Sequence, residues 1–444
     1  MSKLNDIKDH ELGFYTGTKD LYDLDALDLP VEIAGLNVWN SMEQSHQNRV
    51  LGGLLRNLAL RTFENVPLYR ETVWANNDEV GFKRNIKDIE SIKDIVNLPV
   101  LSKDSLPGTG SNSSSGVHGF RSLAIENPNI LVPFNFREVI SRQEHANSNH
   151  QLILEKYRGE GVLDFGSGGS MGTSTKTRLS YLTVEMEAYA LSRALTMNGL
   201  KEGQKIACLY NNTHKGGLQL ERAADIMGMD FHSRDKIMNW IKDEGYDLND
   251  DAQIRNGIRQ YVQKNKIDIM EAVQPPLSFI KKNVKGGGLA FMTMYEEDPS
   301  AFSSVSHAFL TGFPVPSEAY ELLRKDGINV STTWGASEAM ALGTYANENY
   351  SCRRSNVNDL VATPFPTVGL VGKLNRETLP EKLVEVSSGD DGLLLISSLI
   401  GGGSTYINYL IGDLCFKTGN GYENINRAKM DLSTIQGSCG SDAL

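Results

Sequence analysis

Apolar positions recur along this chain with two periods, and the place where the period changes divides it. Between residues 32 and 76 they return with helical spacing. Val50, Leu51, Leu54, Leu55, Leu58 and Leu60 follow one another with Arg56 and Arg61 between them, the three-and-four rhythm of a helix that buries one face. Pro67 predicts an end or a kink, because its ring removes a donor and crowds the preceding turn. A Lys- and Asp-rich segment comes next, then Asn97–Lys103, then Pro107–Val117, whose Gly, Ser, Thr, Asn and Pro predict an exposed loop. From about residue 120 short apolar runs alternate with helical periods. Helices are predicted over Thr183–Asn198, closed by Gly199, over Leu218–Gly228, and over Ser317–Lys325, closed by Gly327. Strands are predicted over Lys205–Tyr210, Ile267–Val273, His307–Leu310 and Ile328–Ser331. Residues 233–265 are strongly charged and read as solvated helices without a functional role. After residue 360 the helical period fades into glycines, prolines and short Val/Leu/Ile runs. No internal repeat is present.

Strands that alternate with helices imply a mostly parallel sheet with helices on its faces. The expected fold class is therefore α/β: mostly parallel sheets flanked by helices, with a helical N-terminal region and a small β-rich subdomain. The expected segments are a helical region at 1–120, an α/β core at 121–360, a β-rich subdomain at 361–425 and a tail at 426–444.

Composition narrows the classes. The chain has 444 residues, which at roughly 150 per domain suggests about three domains, or one large domain with subdomains. Its net charge of −11 disfavours non-specific binding to nucleic acid or anionic membranes, which needs clustered Lys and Arg. A hydrophobic content of 40% supports a sizeable core, and 22% charged residues beside 16 Tyr and 15 Phe argue against disorder. Met1–Asp9 has no apolar centre and does not resemble a signal peptide. The best apolar run, Gly392–Gly401, is short and carries serines, so no membrane span is expected. Cys208, Cys352, Cys415 and Cys439 lie far apart with no CxxC pair, consistent with reduced thiols and a cytoplasmic location.

Three stretches carry candidate chemistry. Gly166-Ser167-Gly168-Gly169-Ser170-Met171-Gly172-Thr173-Ser174-Thr175-Lys176 combines glycines, hydroxyls and one lysine. Glycines let successive N–H groups turn into one concavity, and the hydroxyls and the ammonium add donors, a combination suited to a polyphosphate. The spacing is neither the G-x-x-x-x-G-K-[ST] form nor a dinucleotide fingerprint; composition alone leaves a Gly/Ser linker as the alternative. Lying between Leu163 and the helix from Thr183, the loop is expected at a strand end, where α/β proteins usually bind ligands. Thr332-Thr333-Trp334-Gly335-Ala336-Ser337-Glu338 follows a predicted strand; Glu338 is either an exposed turn residue or a carboxylate for Mg²⁺, which takes one or two such ligands beside phosphates. Tyr409-Leu410-Ile411-Gly412-Asp413 offers either a turn Asp at a strand end or a carboxylate that accepts from two ribose hydroxyls.

With all three in this order, the chain resembles the adenylate-forming superfamily of acyl-CoA synthetases, adenylation domains and luciferases. It is most similar to the phenylacetate–CoA ligase-like branch. Gly168–Lys176 resembles that family's phosphate loop. Thr311-Gly312-Phe313-Pro314-Val315-Pro316 with Trp334–Glu338 resembles its adenine- and magnesium-binding pair, and Tyr409–Asp413 its ribose motif. Phe63–Arg70, Leu98-Pro99 with Ser102–Asp104, and Gly199–Lys205 also look like the branch. The likeness covers roughly residues 45–437, with residues 225–265 poorly matched.

The resemblance implies the large N-terminal domain of that fold and a two-step ligase: ATP and a small carboxylic acid give an acyl- or aryl-adenylate and pyrophosphate, and a thiol of coenzyme A or an acyl carrier protein then takes the acyl group. It assigns catalysis to Lys176 and Glu338, with Mg²⁺ on Glu338. It assigns ATP binding to Ser167, Gly168, Gly169, Ser170, Gly172, Thr173, Gly312, Phe313, Trp334, Gly335, Ala336, Ser337, Asp413 and Arg427. The acyl pocket would take Tyr210, Asn211, His214 and Gly216. Relatives in this branch are often dimers, so a homodimer is an open expectation.

The chain also departs from the family's pattern. Met171 replaces a hydroxyl residue, Ser174 replaces a proline, Lys176 is displaced by one position, and Ile411 stands where Thr is usual. Gly343–Arg354 holds only Cys352 and no histidine, so the zinc cluster of some relatives is not expected. Asn426–Asp431 weakly resembles the family hinge, and only thirteen residues follow Asp431, too few for the usual C-terminal lid. Three explanations stay open: a natural variant that adenylates slowly or with a partner's help, a truncated chain, or a relative that handles its acyl group differently. Cys439 would suit an acyl-protein synthetase, or be an inert thiol. An acyl-protein synthetase or nucleotidyl transferase with a different acceptor is the enzymatic alternative, and a catalytically weakened nucleotide- or acyl-binding subunit of a complex the non-enzymatic one.

Overall fold

The computed structural model describes residues 43–70, 86–98, 100–102, 117–119, 127, 131, 162–166, 176–210, 215–273, 291–311, 315, 317–336, 343–344, 360–362, 367–375, 382–399, 404–418 and 421–427. The first helix, α1 (Gln44–Asn65), buries Leu51, Leu54, Leu55, Leu58 and Ala59. It stops where Val66 turns extended (φ −96°, ψ 116°), immediately before Pro67, because proline crowds the α conformation of the residue ahead of it. The short strands β1 (Val100–Ser102) and β2 (Val117–Gly119) follow, so Val117 opens a strand where a loop was expected. Next come β3 (Val162–Gly166), β4 (Lys176–Ser180) and α2 (Tyr181–Met197), the last closed by Gly199 at φ 87°.

From β5 (Lys205–Cys208) onward the order is α3 (Lys215–Ile226), β6 (Asp230–His232), α4 (Arg234–Asp243), α5 (Asp251–Asn265), β7 (Ile269–Val273), α6 (Phe291–Glu297), β8 (His307–Thr311), α7 (Ser317–Lys325) and β9 (Asn329–Ser331). Then come β10 (Thr333–Trp334), β11 (Gly343–Thr344), β12 (Leu360–Ala362), β13 (Thr367–Asn375), β14 (Lys382–Glu385), β15 (Asp391–Ser398), β16 (Tyr409–Lys417) and β17 (Gly421–Arg427). The α/β class and the predicted helices and strands of the middle of the chain are present. Among the described residues no helix is long and apolar enough to cross a membrane.

Two compact units form, and their chain segments interleave. One takes α1, β1–β4, the start of α2 and β13–β16. Its main sheet runs β2-β1-β16-β15-β13-β14. Parallel pairs lie at the β1 end, and antiparallel pairs join β16, β15, β13 and β14. Residues 404–408 lead into β16 and are held from several sides. The Tyr69 hydroxyl donates to the Thr405 carbonyl (3.4 Å) and accepts from the Ile407 N–H (3.0 Å). Asn408 Nδ2 donates to the Leu98 carbonyl (2.9 Å), and the Arg178 N–H donates to Ser404 Oγ (2.8 Å). Thr177 and Tyr406 join through their hydroxyls at 3.0 Å.

The other unit takes the rest of α2, β5–β12, α3–α7 and β17. Its five-stranded sheet is wholly parallel, in the order β6-β5-β7-β8-β9. A separate antiparallel ladder runs β10-β11-β12, with β17 against β12. The charged segment 233–265 forms helices that are amphipathic, not solvated all round. Ile237, Ile241, Ile254, Ile258, Tyr261 and Val262 are buried, and the charges line the outer side of each turn. A Cβ on Gly257 would stand 2.8 Å from Ile241 side-chain carbons, so this glycine permits the close approach of α4 and α5.

Tyr69→Phe removes the hydroxyl that the buried Ile407 N–H donates to. A lost buried partner costs about 1–3 kcal/mol, so the urea midpoint should fall by that equivalent with an unchanged slope; an unmoved midpoint would show that the hydroxyl does not hold this segment.

Candidate functional site

The parallel sheet determines where a site can form in the second unit. The chain leaves β5, adds β6 on one side, then crosses to add β7 on the other and continues outward through β8 and β9. The order therefore reverses between β5 and β7, and in open α/β sheets ligands bind beyond the carboxyl ends of the strands at such a reversal. Tyr210 follows β5, Thr311 ends β8, and Thr332–Ala336 follow β9, so these candidate residues emerge from the same edge of the sheet.

Just inside that edge lies a buried polar chain. Cys208 and Glu271 are register partners on β5 and β7. The Cys208 thiol donates to Glu271 Oε2 (3.1 Å), and the Thr311 hydroxyl donates to Oε1 (3.1 Å). The Tyr210 hydroxyl bonds in turn to Thr311 Oγ1. All four residues are buried. Burial pushes the Glu271 carboxyl up to about 8 against the opposing pull of its two hydrogen bonds, because a low-dielectric setting disfavours the charged form. Burial, and then the nearby Glu271 charge, pushes the Cys208 thiol well above its usual range. It is therefore a donor here, not a nucleophile. Neither Cys208 nor Glu271 was singled out from the sequence. The available signal was one carboxylate, Glu271, among the apolar residues of Ile269–Val273.

Lys215, the first residue of α3, is also buried, and its Nζ donates to the Ala336 carbonyl at 3.5 Å. This bond ties the helix after β5 to the segment that follows β9. Gly216 is buried beside it in the first turn of α3. Trp334 and Gly335 are half-buried, and Ala336 is buried.

In the first unit, Asp413 sits in the middle of the nine-residue β16, which removes the turn alternative. Along this strand the usual alternation is inverted: Asp413 and Cys415 are buried, whereas Leu414 and Phe416 are 38% and 43% exposed. A carboxylate on the inner face with leucine outside is unfavourable for packing alone. Burial, followed by the Asp413 charge, pushes the Cys415 thiol up to about 12.

The remaining candidates divide plainly. Gly166 pairs with Lys176 across an antiparallel hairpin of β3 and β4, so the glycine-rich loop joins two strands, and α2 begins only after the second. Arg427 is the last residue of β17, so Asn426 and Arg427 belong to a strand. Ser167, Gly168, Gly169, Ser170, Gly172, Thr173, Asn211, His214, Gly312, Phe313, Ser337, Glu338 and Cys439 lie outside the described residues, as do the side chains of Lys176 and Arg427.

No protein-family profile and no curated protein sequence matches this chain. Solved structures do match in fold. An open form of 2-hydroxyisobutyryl-CoA ligase with 2-HIB-AMP and CoA superposes with a TM-score of 0.56 at 14% identity, over 89% of this chain and 78% of that one. The same ligase in its postadenylation state, with R3-HIB-AMP, gives 0.58 at 14% identity over 89% and 71%. Its thioesterification state, with 2-HIB-AMP and CoA, gives 0.56 at 15% identity over 86% and 67%. The chain thus shares the fold of this CoA ligase.

Glu271 links folding to pH. A carboxyl whose folded value is raised to about 8 holds its proton in the folded state after the unfolded chain has lost it. Stability from this group is full at low pH and is lost as pH rises from about 4.5 to about 8. Glu271→Gln should flatten that part of the stability–pH curve measured by urea unfolding; an unchanged slope would remove Glu271 as its source.

Proposed function

We propose that this chain activates a small carboxylic acid with ATP and passes the acyl group to a thiol. The reading is supported by one coincidence: the phosphate-loop, adenine-type and ribose-type stretches occur in the expected order on the fold of a ligase that has been crystallised with its acyl-adenylate and CoA. In the first step a carboxylate oxygen attacks the α-phosphorus of ATP, the bond to the β-phosphate bridging oxygen breaks, and pyrophosphate leaves. In the second a thiolate attacks the acyl carbon, the carbon–oxygen bond to phosphate breaks, and AMP leaves. The acceptor is coenzyme A or a carrier-protein thiol.

Such chemistry asks the protein mainly for position and charge compensation. Asp413 fits the ribose role, because a carboxylate is acceptor-only and its strand keeps it on the buried face. The N–H groups of 168–172, the hydroxyls of Ser170 and Thr173, and Lys176 would bind the departing phosphates. Gly312, Phe313 and Trp334–Ser337 would hold the adenine, with Arg427 on the nucleotide. Glu338 would hold a Mg²⁺, which supplies charge neutralisation at the phosphates. Tyr210, Asn211, His214 and Gly216 would line the acyl side.

Pyrophosphate release from ATP across a panel of acids tests the reaction. Release should depend on both the acid and Mg²⁺; tight nucleotide binding without release for any acid would leave a binding protein instead. A hydrogen bond to a charged group contributes about 1.5–3 kcal/mol, so Asp413→Ala should weaken ATP binding roughly 10- to 100-fold. Unchanged affinity in a calorimetric titration would take Asp413 out of the site.

A further inference from the structure

Strand β16 breaks step with its neighbour in the middle. Tyr409 and Leu410 pair with Ile396 and Leu395 on β15, and Leu414, Cys415 and Phe416 pair with Leu393, Gly392 and Asp391. Between these paired stretches β15 has one residue, Leu394, whereas β16 has three, Ile411, Gly412 and Asp413. Asp413 is therefore the last residue of a bulge that carries two more residues than the strand opposite. Bulges re-aim side chains and are over-represented beside active sites. This one also holds slack. Tightening it to one extra residue, the common form, would step the strand from Asp413 onward by about 3.3 Å and turn each side chain to the other face. Leu414 would then take the place of Cys415 opposite Gly392, and Cys415 the place of Phe416. Packing alone favours that step, because it moves an acid and a thiol out and a leucine and a phenylalanine in.

Polar bonds oppose the step on both sides of the bulge. Ahead of it, the Asn408 N–H donates to Ser397 Oγ (2.7 Å), and the Asn408 carbonyl accepts from the Leu101 N–H (3.1 Å). Beyond it, the restraint gathers at Lys417. The Lys417 N–H donates to the Asp390 carbonyl (3.0 Å), and its carbonyl accepts from the Gly389 N–H (2.8 Å). Its Nζ donates to the Val386 carbonyl (3.0 Å) and pairs with the Glu385 carboxylate at the end of β14. Strands β15 and β13 lie between β16 and β14 in the sheet order, so this side chain ties the bulged strand to one three places away. The two charged side chains are only 27% and 26% exposed, which shields the pair from the screening that weakens surface ion pairs. We propose that Lys417 is a positioning residue, whose bonds to Glu385 and Val386 hold β16 in the register that keeps Asp413 on the inner face. That Asp413 then serves a nucleotide rests on the adenylating reading above; the register lock does not.

Cys415 reports the register, because it is buried now and would stand on the exposed face after a step. Alkylation of the full chain with iodoacetamide, mapped by peptide mass, follows it, and Cys208, buried in the other unit, controls for global unfolding. Lys417→Met keeps the side-chain length without the charge, Glu385→Gln removes the partner's charge, and Lys417→Arg keeps a cation. Cys415 should alkylate about 10- to 100-fold faster in Lys417→Met and in Glu385→Gln, at a rate that low urea leaves unchanged and with Cys208 still protected. Lys417→Arg should return the rate toward that of the unsubstituted chain. An unchanged rate in both charge-removing variants, or one that climbs with urea as unfolding does, overturns the lock. If Lys417→Met does not fold, Glu385→Gln decides alone. For the nucleotide, ATP affinity by calorimetry should fall in the variants that expose Cys415 and recover in Lys417→Arg. Faster alkylation with unchanged ATP affinity overturns the role of Lys417 in placing Asp413. An unsubstituted chain that binds no ATP sinks the adenylating reading, and the alkylation result still decides the lock.

Discussion

A carboxyl group buried between two parallel strands must find hydrogen-bond partners there, because leaving it unpaired would be costly. Glu271 meets that demand through a thiol on one neighbouring strand and a hydroxyl on the other. The requirement binds β5, β7 and β8 together near their carboxyl ends, at the point where strand order reverses. Tyr210 joins this cluster through Thr311, and a separate bond from Lys215 to the Ala336 carbonyl ties the start of α3 to the segment after β9. The unfavourable cost of burying an acid is thus converted into a defined arrangement of donors.

The first unit solves a different problem. Asp413 lies on the inner face of a strand, and the strand can keep it there only if its register cannot slip, since a shift of one residue would turn every side chain over. Residues 404–408, just ahead of that strand, carry the restraint. Tyr69 holds Thr405 and Ile407, Leu98 receives Asn408, and Ser404 is joined to Arg178. These partners come from parts of the chain more than 200 residues away, so the register of one candidate residue depends on distant segments.

Much of the secondary structure was legible because local physics decides it. Pro67 ends a helix, Gly199 and Gly327 close two others at positive φ, and apolar runs such as Ile267–Val273 become buried strands. The charged helices of 233–265 were legible as helices, but their buried faces were not, because Ile237, Ile241, Ile254 and Ile258 are spaced among many charges. Val117 was lost inside a Gly/Ser-rich stretch, since a three-residue strand has no period to detect. The hairpin of β3 and β4 was hidden for a similar reason. Thr177-Arg178 interrupts the apolar pattern, and only pairing with Phe165 and Asp164 makes it a strand.

The sequence by itself determined the α/β alternation and the stops of helices at Pro67, Gly199 and Gly327, and it pointed to three stretches suited to a nucleotide, because period, proline, glycine and residue chemistry act over a few neighbouring positions. The tertiary structure alone decided that Glu271 and Cys208 meet, that Lys215 reaches Ala336, and that Asp413 faces inward from the middle of a strand. Each of these joins residues brought together by strand order or by burial, and neither strand order nor burial is encoded in any short window of the chain.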